Sequence, residues 1–125
     1  MTSYREGREE TGTNGEDRLR ADLLARRLSA VGEVSALNAR HLKLIQQCAG
    51  IEMEALRLEL ELQRHPEDAS LPQALEDIHS QLDAARAGQD ACAEQLDGCE
   101  SGIAEIDRQL ASLMARPRGG QDEPA

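Results

Sequence analysis

The 125-residue sequence contains no phenylalanine and no tryptophan, and its single tyrosine, Tyr4, lies near the N-terminus. Aromatic side chains supply much of the interior of a rounded domain. Their absence, together with the abundance of the helix formers Ala, Leu, Glu, Gln and Arg, predicts long helices that pack through thin aliphatic interfaces. We therefore expect an all-α, elongated rod.

The sequence also lacks any run of about 18 apolar residues, and its first 17 residues are polar with mixed charge. We therefore expect no membrane span and no signal peptide, and a cytoplasmic or nuclear location. The three cysteines are Cys48, Cys92 and Cys99. An odd number at irregular spacing is untypical of a secreted disulfide framework and indicates free thiols in a reducing compartment.

Basic charge is scarce in the second half of the chain. Residues 16–64 carry eight acids and eight Arg or Lys, whereas residues 72–114 carry nine acids and only Arg86 and Arg108. No basic stripe with stacking aromatics is present to neutralise phosphates. Binding to nucleic acid or to an anionic membrane is therefore disfavoured, and proteins are the expected partners.

Both ends of the chain are predicted to be disordered tails. Residues 1–15 and residues 116–125 combine Gly with charged and polar residues and show no apolar period. The intervening residues 16–115 are predicted to form one coiled-coil domain.

A break bounded by prolines divides that domain into two helices. Pro66 ends the first helix, because a residue that precedes proline avoids helical dihedral angles. Ser70 is the predicted cap of the second helix, with Gln73 at the capping-box position and Pro72 in the first turn. A short connection folds two such helices back antiparallel. The predicted elements are a helix at 16–64, a turn at 65–71 and a helix at 72–115.

The second predicted helix carries an unbroken coiled-coil seam. Twelve positions are separated by alternating steps of three and four residues, and Gln89 is the only clearly polar member. A buried amide at one layer would fix register and partner choice, and an amide that reaches solvent from a narrow seam is an equal alternative. The seam positions are Leu75, Ile78, Leu82, Ala85, Gln89, Cys92, Leu96, Cys99, Ile103, Ile106, Leu110 and Leu113.

Two cysteines, Cys92 and Cys99, belong to this seam. At 1.5 Å per residue they lie about 10 Å apart along the axis, too far for a disulfide within one helix. No Cys or His lies three or four residues from either thiol, which makes a zinc site weak. We interpret both as small apolar packing residues and expect no metal and no cofactor.

The first helix carries two apolar stripes, although a two-helix hairpin covers only one. The inner stripe, predicted to pack on the second helix, comprises Val34, Leu37, His41, Leu44, Cys48, Ile51, Ala55, Leu58 and Leu62. The outer stripe comprises Leu24, Leu28, Val31, Leu42, Ile45, Ala49, Met53, Leu56 and Leu60. A row of exposed large aliphatic residues marks an association site, so the outer stripe, apart from the small Ala49, is the predicted partner-binding surface.

The turn also predicts a register. If Arg64 faces Pro72, residue i faces residue 136 − i. The contacts expected from this rule are Arg40 and Lys43 with the acids of residues 90–100, Arg26 and Arg27 with Asp107 and Glu105, Gly50 with Gly88, and Gly32 with Gly102. Facing glycines would let the backbones approach or the rod bend, and glycines that each helix merely tolerates are an equal alternative.

Catalytic groups are not predicted. Carboxylates abound, but phosphate-binding glycine loops, nucleophile elbows and metalloprotease patterns are absent from the sequence. The sequence therefore predicts a non-catalytic coiled-coil interaction or scaffold subunit of a multiprotein assembly, with no small-molecule substrate. Its expected partner is a protein with an amphipathic helix or a coiled coil, a second copy of the chain, or both.

Two other interaction roles fit the same pattern. A chaperone or regulatory binding protein, similar to a secretion chaperone or an adaptor, would mask an amphipathic helix of a client on the outer stripe. An acidic decoy would bind a basic protein surface with an affinity that falls steeply with salt. No motif in the chain identifies a family.

Overall fold

A computed structural model of the protein describes the backbone of residues 2–115 and the side chains of residues 14–115. Two long helices pack against each other, and the described chain contains no strand. The helices are α1, Thr2–Arg64, and α2, Ser70–Ala115. The predicted all-α helical hairpin is confirmed.

The helix bounds agree with the predicted ones at two of four ends. α1 ends at Arg64 and α2 ends at Ala115, as predicted, whereas α1 begins at Thr2 rather than at residue 16. Side chains before Asn14 and the predicted tail at 116–125 lie outside the described residues. The predicted division into two tails and one domain therefore stays a prediction.

The cap of α2 is Asp68 and not Ser70, and the helix begins at Ser70 rather than at residue 72. The Asp68 carboxylate accepts hydrogen bonds from the Ser70 backbone N–H at 2.9 Å and from the Ser70 hydroxyl at 2.6 Å. These two bonds lower the pKa of Asp68. A charged carboxylate is the stronger acceptor, so the hydroxyl of Ser70 donates to it instead of capping the helix itself.

The connection between the helices is short and internally hydrogen-bonded. The His65 N–H donates to the Glu61 carbonyl at 2.8 Å, and the Asp68 N–H donates to the His65 carbonyl at 3.0 Å. Pro66 has no N–H and cannot continue the helical ladder, which explains why α1 ends where the sequence predicts.

The chain divides into two compact units. Unit 1 comprises Met1–Glu33 and Cys99–Ala125, and unit 2 comprises Val34–Gly98. Each unit contains a segment of α1 and a segment of α2, and the two are described separately below.

In unit 2 the core is built from the predicted inner stripe and the predicted seam. Every predicted position of both sets within this unit is buried or half-buried, which confirms the assignment of the two faces. Several core side chains are small, so the interface is thin. The buried side chains of this core, as distinct from the half-buried ones, are Cys48, Ala55, Leu58, Leu82, Cys92 and Leu96.

Unit 1 has its own apolar cluster, formed by Leu23, Ile106 and Leu113 with Leu110 packed against it. The α2 members were predicted as seam positions, but Leu23, which is only 1% exposed, was not. Leu23 nevertheless extends the inner stripe toward the N-terminus. From Val34, steps of four, three and four residues lead through Ala30 and Arg27 to Leu23. An arginine at a seam position hides this continuation in the sequence.

The close backbone approach predicted at the facing glycines is wrong, and the alternative of tolerated helix glycines agrees with the structure. A Cβ atom added to Gly32, Gly50 or Gly102 would meet nothing within 4 Å, and one added to Gly88 would meet only Leu44 Cδ2, at 3.9 Å. None of these helical glycines is therefore required for a close approach of the two helices.

Of the predicted ion pairs between the helices, one is present. Within unit 1, Arg27 Nε lies 2.6 Å from Asp107 Oδ1, and this hydrogen bond lowers the pKa of Asp107. Arg26 forms no ion pair with a described residue, and neither do Arg40 and Lys43, so the contacts predicted for them are wrong. Since exposed pairs contribute little, such contacts do not determine the register strongly.

The packing of unit 1 can be tested with two neighbouring leucines of opposite exposure. Leu23→Ala is expected to lower the free energy of unfolding by about 2–5 kcal/mol, because it leaves a cavity in the cluster. Leu24 is 51% exposed, and Leu24→Ala is expected to change the same quantity by less than about 0.5 kcal/mol. Amide hydrogen exchange over residues 99–115 measures both effects. Equal acceleration of exchange in the two variants would contradict the assigned packing.

Candidate interaction surface on the first helix

All eight predicted partner-binding side chains are exposed. Their exposed fractions run from 38% for Val31 to 75% for Leu28. In unit 1 they are Leu24, Leu28 and Val31, and in unit 2 they are Leu42, Ile45, Met53, Leu56 and Leu60. The hairpin therefore leaves the outer stripe of α1 open while it covers the inner stripe.

The spacing of these residues explains why they form a continuous surface in unit 2. Leu42 and Leu60 are 18 residues apart, which is about five turns at 3.6 residues per turn, so the row runs straight along the helix. We name the six side chains of this row the unit 2 patch, and its members are Leu42, Ile45, Ala49, Met53, Leu56 and Leu60.

Polar residues separate the unit 2 patch from the outer-stripe residues of unit 1. Ser35 and Asn38 occupy the stripe positions between Val31 and Leu42, and both are exposed. The outer stripe is predicted as one surface from the sequence. The structure describes a short group of three large side chains in unit 1 and a longer patch in unit 2.

The unit 2 patch exposes enough apolar surface to drive association. Complete burial of a Leu, Ile or Met side chain contributes roughly 1.5–3 kcal/mol. The five large members are about half exposed, so covering them would contribute on the order of 4–8 kcal/mol before the cost of association is subtracted. Contiguous exposure on this scale is typical of an interaction site.

Charged contacts border one edge of the patch. Glu52 Oε1 lies 3.2 Å from Arg86 Nη2, and Glu59 Oε1 lies 3.6 Å from His79 Nε2. These four side chains line a shallow open groove of about 600 Å³, together with Leu56 of the patch. An apolar centre with a polar rim is the usual anatomy of a protein interface.

The other edge carries cationic and acidic groups of α1 alone. Arg57 Nη2 lies 2.6 Å from Glu54 Oε1, one turn earlier on the same helix. The hydrogen bond and the charge of Glu54 raise the pKa of Arg57. Glu61, one turn beyond Arg57, adds a smaller contribution in the same direction. Lys43, at the start of this edge, has no ion-pair partner in the described chain. Its charge is therefore available to a partner molecule.

The seam cysteines are packing residues with hydrogen-bonded thiols. Cys92 is buried, and its thiol donates to the Leu37 carbonyl at 3.5 Å within unit 2. Cys99 is half-buried, and its thiol lies 3.8 Å from a carboxylate oxygen of Glu33 within unit 1. Among the described residues, no three His, Cys, Asp or Glu side chains are grouped so as to hold a metal ion.

The predicted register residue Gln89 is half-buried in the seam and makes no hydrogen bond to a described residue. No buried side-chain nitrogen or oxygen lacks a partner in the described chain. The amide of Gln89 is therefore in contact with solvent. This geometry matches the reading of an amide that reaches water from a narrow seam.

Two exposed hydrophobic residues were not predicted. Leu19 lies on α1 away from the outer stripe, and Met114 lies on α2 beside the buried Leu113. Met114 is 78% exposed and Met53 is 67% exposed. The two methionines therefore form a matched pair, one outside and one inside the unit 2 patch.

Neither helix contains, within the residues that the structure describes, a segment of the length and apolarity needed to cross a membrane. None of three comparisons with known proteins, by family model, by curated sequence and by solved structure, finds a significant match. The candidate surface is therefore assigned from its geometry alone.

The environment of Cys99 predicts that its thiol is alkylated slowly at neutral pH and loses its proton only at alkaline pH. Partial burial raises the pKa of Cys99, and the negative charge of Glu33 raises it further. The midpoint of alkylation against pH should therefore lie above the value of about 8.5 for a free cysteine. Glu33→Gln should lower the midpoint without returning it to the free value, because burial is the larger cause. Iodoacetamide labelling read by peptide mass spectrometry measures this, and a midpoint at or below that of free cysteine would refute it.

Because the amide of Gln89 is in contact with solvent, we expect its replacement by an apolar side chain to stabilise the protein. Gln89→Leu should raise the free energy of unfolding by about 1 kcal/mol, because an apolar side chain adds buried surface to the seam. Gln95→Leu is the control at an exposed position of the same helix, and should change it by less than about 0.5 kcal/mol. Urea denaturation measures both values. A destabilised Gln89→Leu would instead identify the amide as a required register contact.

Proposed function

We propose that this protein is a non-catalytic coiled-coil subunit that holds a protein partner against the outer stripe of α1. The observation that carries the proposal is the unit 2 patch, a straight row of exposed aliphatic side chains on a helix whose neighbouring inner stripe is already covered. A partner helix or coiled coil with apolar residues at the same three- and four-residue spacing would fit this row.

The mode of binding follows from helix packing. Side chains of the partner would insert between those of the patch, so that α1 lies between α2 on one side and the partner on the other. The result is a bundle of three or four helices in which both stripes of α1 are buried. Apolar burial supplies the affinity, and the charged edges select the orientation of the partner.

A thin core supports a permanent partner over a transient client. Leu23 is the only large side chain of the described residues that is fully buried, and much of the unit 2 core consists of Ala, Cys and half-buried Leu. A two-helix core of this kind is marginal against the cost of ordering its residues. Association through the patch would bury apolar surface that the isolated chain leaves exposed. A permanent subunit depends on such added burial for its stability, whereas a reversible chaperone must be stable without its client.

The ionisable groups support a non-catalytic role. The carboxylates with shifted pKa values are Asp68, Glu54, Glu105 and Asp107, and each pKa is lowered by a hydrogen bond from Ser70 or from an arginine. A carboxyl group that acts as a general acid at neutral pH needs a raised pKa, which burial or a like charge supplies, and a raised pKa also makes it a stronger base. The shifts observed here are those of exposed surface contacts.

The three cysteines support a reducing compartment, such as the cytoplasm or the nucleus. All three are free thiols, and two of them are buried in the helical core. A protein that folds around free thiols suits an environment in which disulfides do not persist.

The proposal is tested by placing a photo-crosslinking amino acid at single positions in the protein expressed in its native cells. A crosslinker at Met53 should give a stoichiometric adduct with a protein, because the partner covers the patch. A crosslinker at Met114, the matched control, should give none or far less. Equal labelling at the two positions, or no adduct at Met53, would refute the proposal.

The salt dependence of the non-covalent complex with the crosslinked partner separates a scaffold from an acidic decoy. A complex held by the unit 2 patch should change its affinity by less than about threefold between 50 mM and 500 mM salt, since apolar burial is not screened. A complex held by the acids of α2 should weaken steeply over that range. Sedimentation of the purified complex at both salt concentrations distinguishes the two roles.

A further inference from the structure

We infer that the unit 2 patch binds the same patch of a second copy of this chain, with the two α1 helices antiparallel about a two-fold axis near residue 51. This inference rests on the proposed function and names its partner. It is carried by two properties of the patch, which are the two-fold match of its apolar positions and the opposite charge of its two halves.

The apolar positions of the patch match when the helix is reversed. A two-fold axis at residue 51 places residue i of one copy opposite residue 102 − i of the other. Leu42 then meets Leu60, and the small Ala49 meets the long side chain of Met53. Ile45 and Leu56 fall within one residue of each other. The large members of one copy therefore lie against apolar members of the other.

Charge distribution selects the antiparallel orientation over the parallel one. Residues 34–51 contain no acid, and of their two cations Arg40 lies on the far side of α1 while Lys43 lies nearer the patch, whereas residues 52–61 contain four acids and only Arg57. Reversal places the cationic half of one helix beside the acidic half of the other. A parallel pair would instead place like charge beside like charge along the whole patch.

Lys43 and Glu61 are the side chains that this orientation brings together. In a two-fold antiparallel pair, each edge of the patch meets the same edge of the second copy. Lys43 and Glu61 each follow a patch leucine directly and share one face of α1, about 100° around the helix from Leu42 and Leu60, and they are 18 residues and therefore about five turns apart. Lys43 has no ion-pair partner among the described residues of its own chain, and reversal places it within two residues of Glu61 of the second copy.

The opposite edge contains a like-charge contact that the hairpin itself moderates. Glu52 lies one residue from the axis, so the two copies of Glu52 approach each other there. Each Glu52 is already paired with Arg86 of its own chain at 3.2 Å. Arg57, which comes near Lys43 of the second copy on the other edge, is likewise paired with Glu54 at 2.6 Å. Both repulsions are therefore reduced by pairs within each chain.

Sedimentation equilibrium of the full chain tests the dimer. The wild-type chain is expected to be a dimer, and Met53→Asp should raise the dissociation constant at least tenfold, because it places a charge at the centre of the apolar contact. Met114→Asp, the matched control outside the patch, should leave the dissociation constant unchanged. Circular dichroism verifies that each variant keeps its helices.

Charge reversal tests the orientation. Lys43→Glu and Glu61→Lys should each raise the dissociation constant about two- to fivefold, as expected for exposed pairs formed twice in a two-fold dimer. The double variant should return the constant close to the wild-type value. Arg40→Glu is the control, since Arg40 lies on the far side of α1 from the patch and also has no ion-pair partner in the described chain.

A mixed disulfide experiment reads the orientation directly. Chains carrying Leu42→Cys and chains carrying Leu60→Cys are mixed and oxidised, and the crosslinked peptides are identified by mass spectrometry. Antiparallel pairing yields disulfides between residue 42 of one chain and residue 60 of the other. Disulfides between two residues 42 would show a parallel pair and overturn the inference.

Failure of this inference is distinguishable from failure of the proposed function. A wild-type chain that stays monomeric at 100 µM, or a dimer that Met53→Asp does not weaken, overturns the two-fold pairing. If a monomeric wild-type chain still forms an adduct through position 53 with a different protein, the proposed function stands and only the second copy is rejected. If neither assembly depends on Met53, both are rejected.

Discussion

The structure depends on one constraint, which is that a pair of helices buries only one stripe of each. α2 has a single seam and buries it, so its other faces are free to be acidic and hydrated. α1 has two apolar stripes, and α2 covers the inner one alone. The exposed outer stripe is therefore a consequence of the hairpin itself, and it holds eight of the ten exposed large hydrophobic side chains of the described residues.

The covered seam is narrow because its side chains are small or only half-buried. In unit 2 the buried side chains of α1 are Cys48, Ala55 and Leu58, and in unit 1 the fully buried side chain is Leu23. A seam without aromatics brings little apolar area per layer. Local interactions therefore contribute a larger share of the stability, and they include the Asp68 cap that begins α2 and the turn after Pro66 that ends α1. Because the seam is narrow, burial of the outer stripe by a partner would add substantially to the stability of the fold.

The proposed function and the two-fold pairing draw on different properties of α1. The need for a partner comes from the area and continuity of the unit 2 patch, which is a matter of apolar burial. The proposed identity of that partner comes from symmetry and from charge, since the residues beside the two halves of the patch differ in sign and Lys43 has no ion-pair partner among the described residues. Burial holds such a contact, whereas charge decides its orientation.

The sequence by itself determined the two helices, their break at Pro66, the covered and exposed stripes, and the packing role of Cys92, because periodicity and local dihedral preferences are properties of neighbouring residues. Only the tertiary structure decided that Leu23 enters the core beyond a seam arginine and that Asp68 replaces Ser70 as the cap. It also decided that Arg27 pairs with Asp107, while Arg40 and Lys43 form no ion pair with any described residue. Those outcomes depend on the register between two helices and on competition among nearby acceptors. Each exposed contact is too weak to determine them, so they follow from the packing of the whole seam.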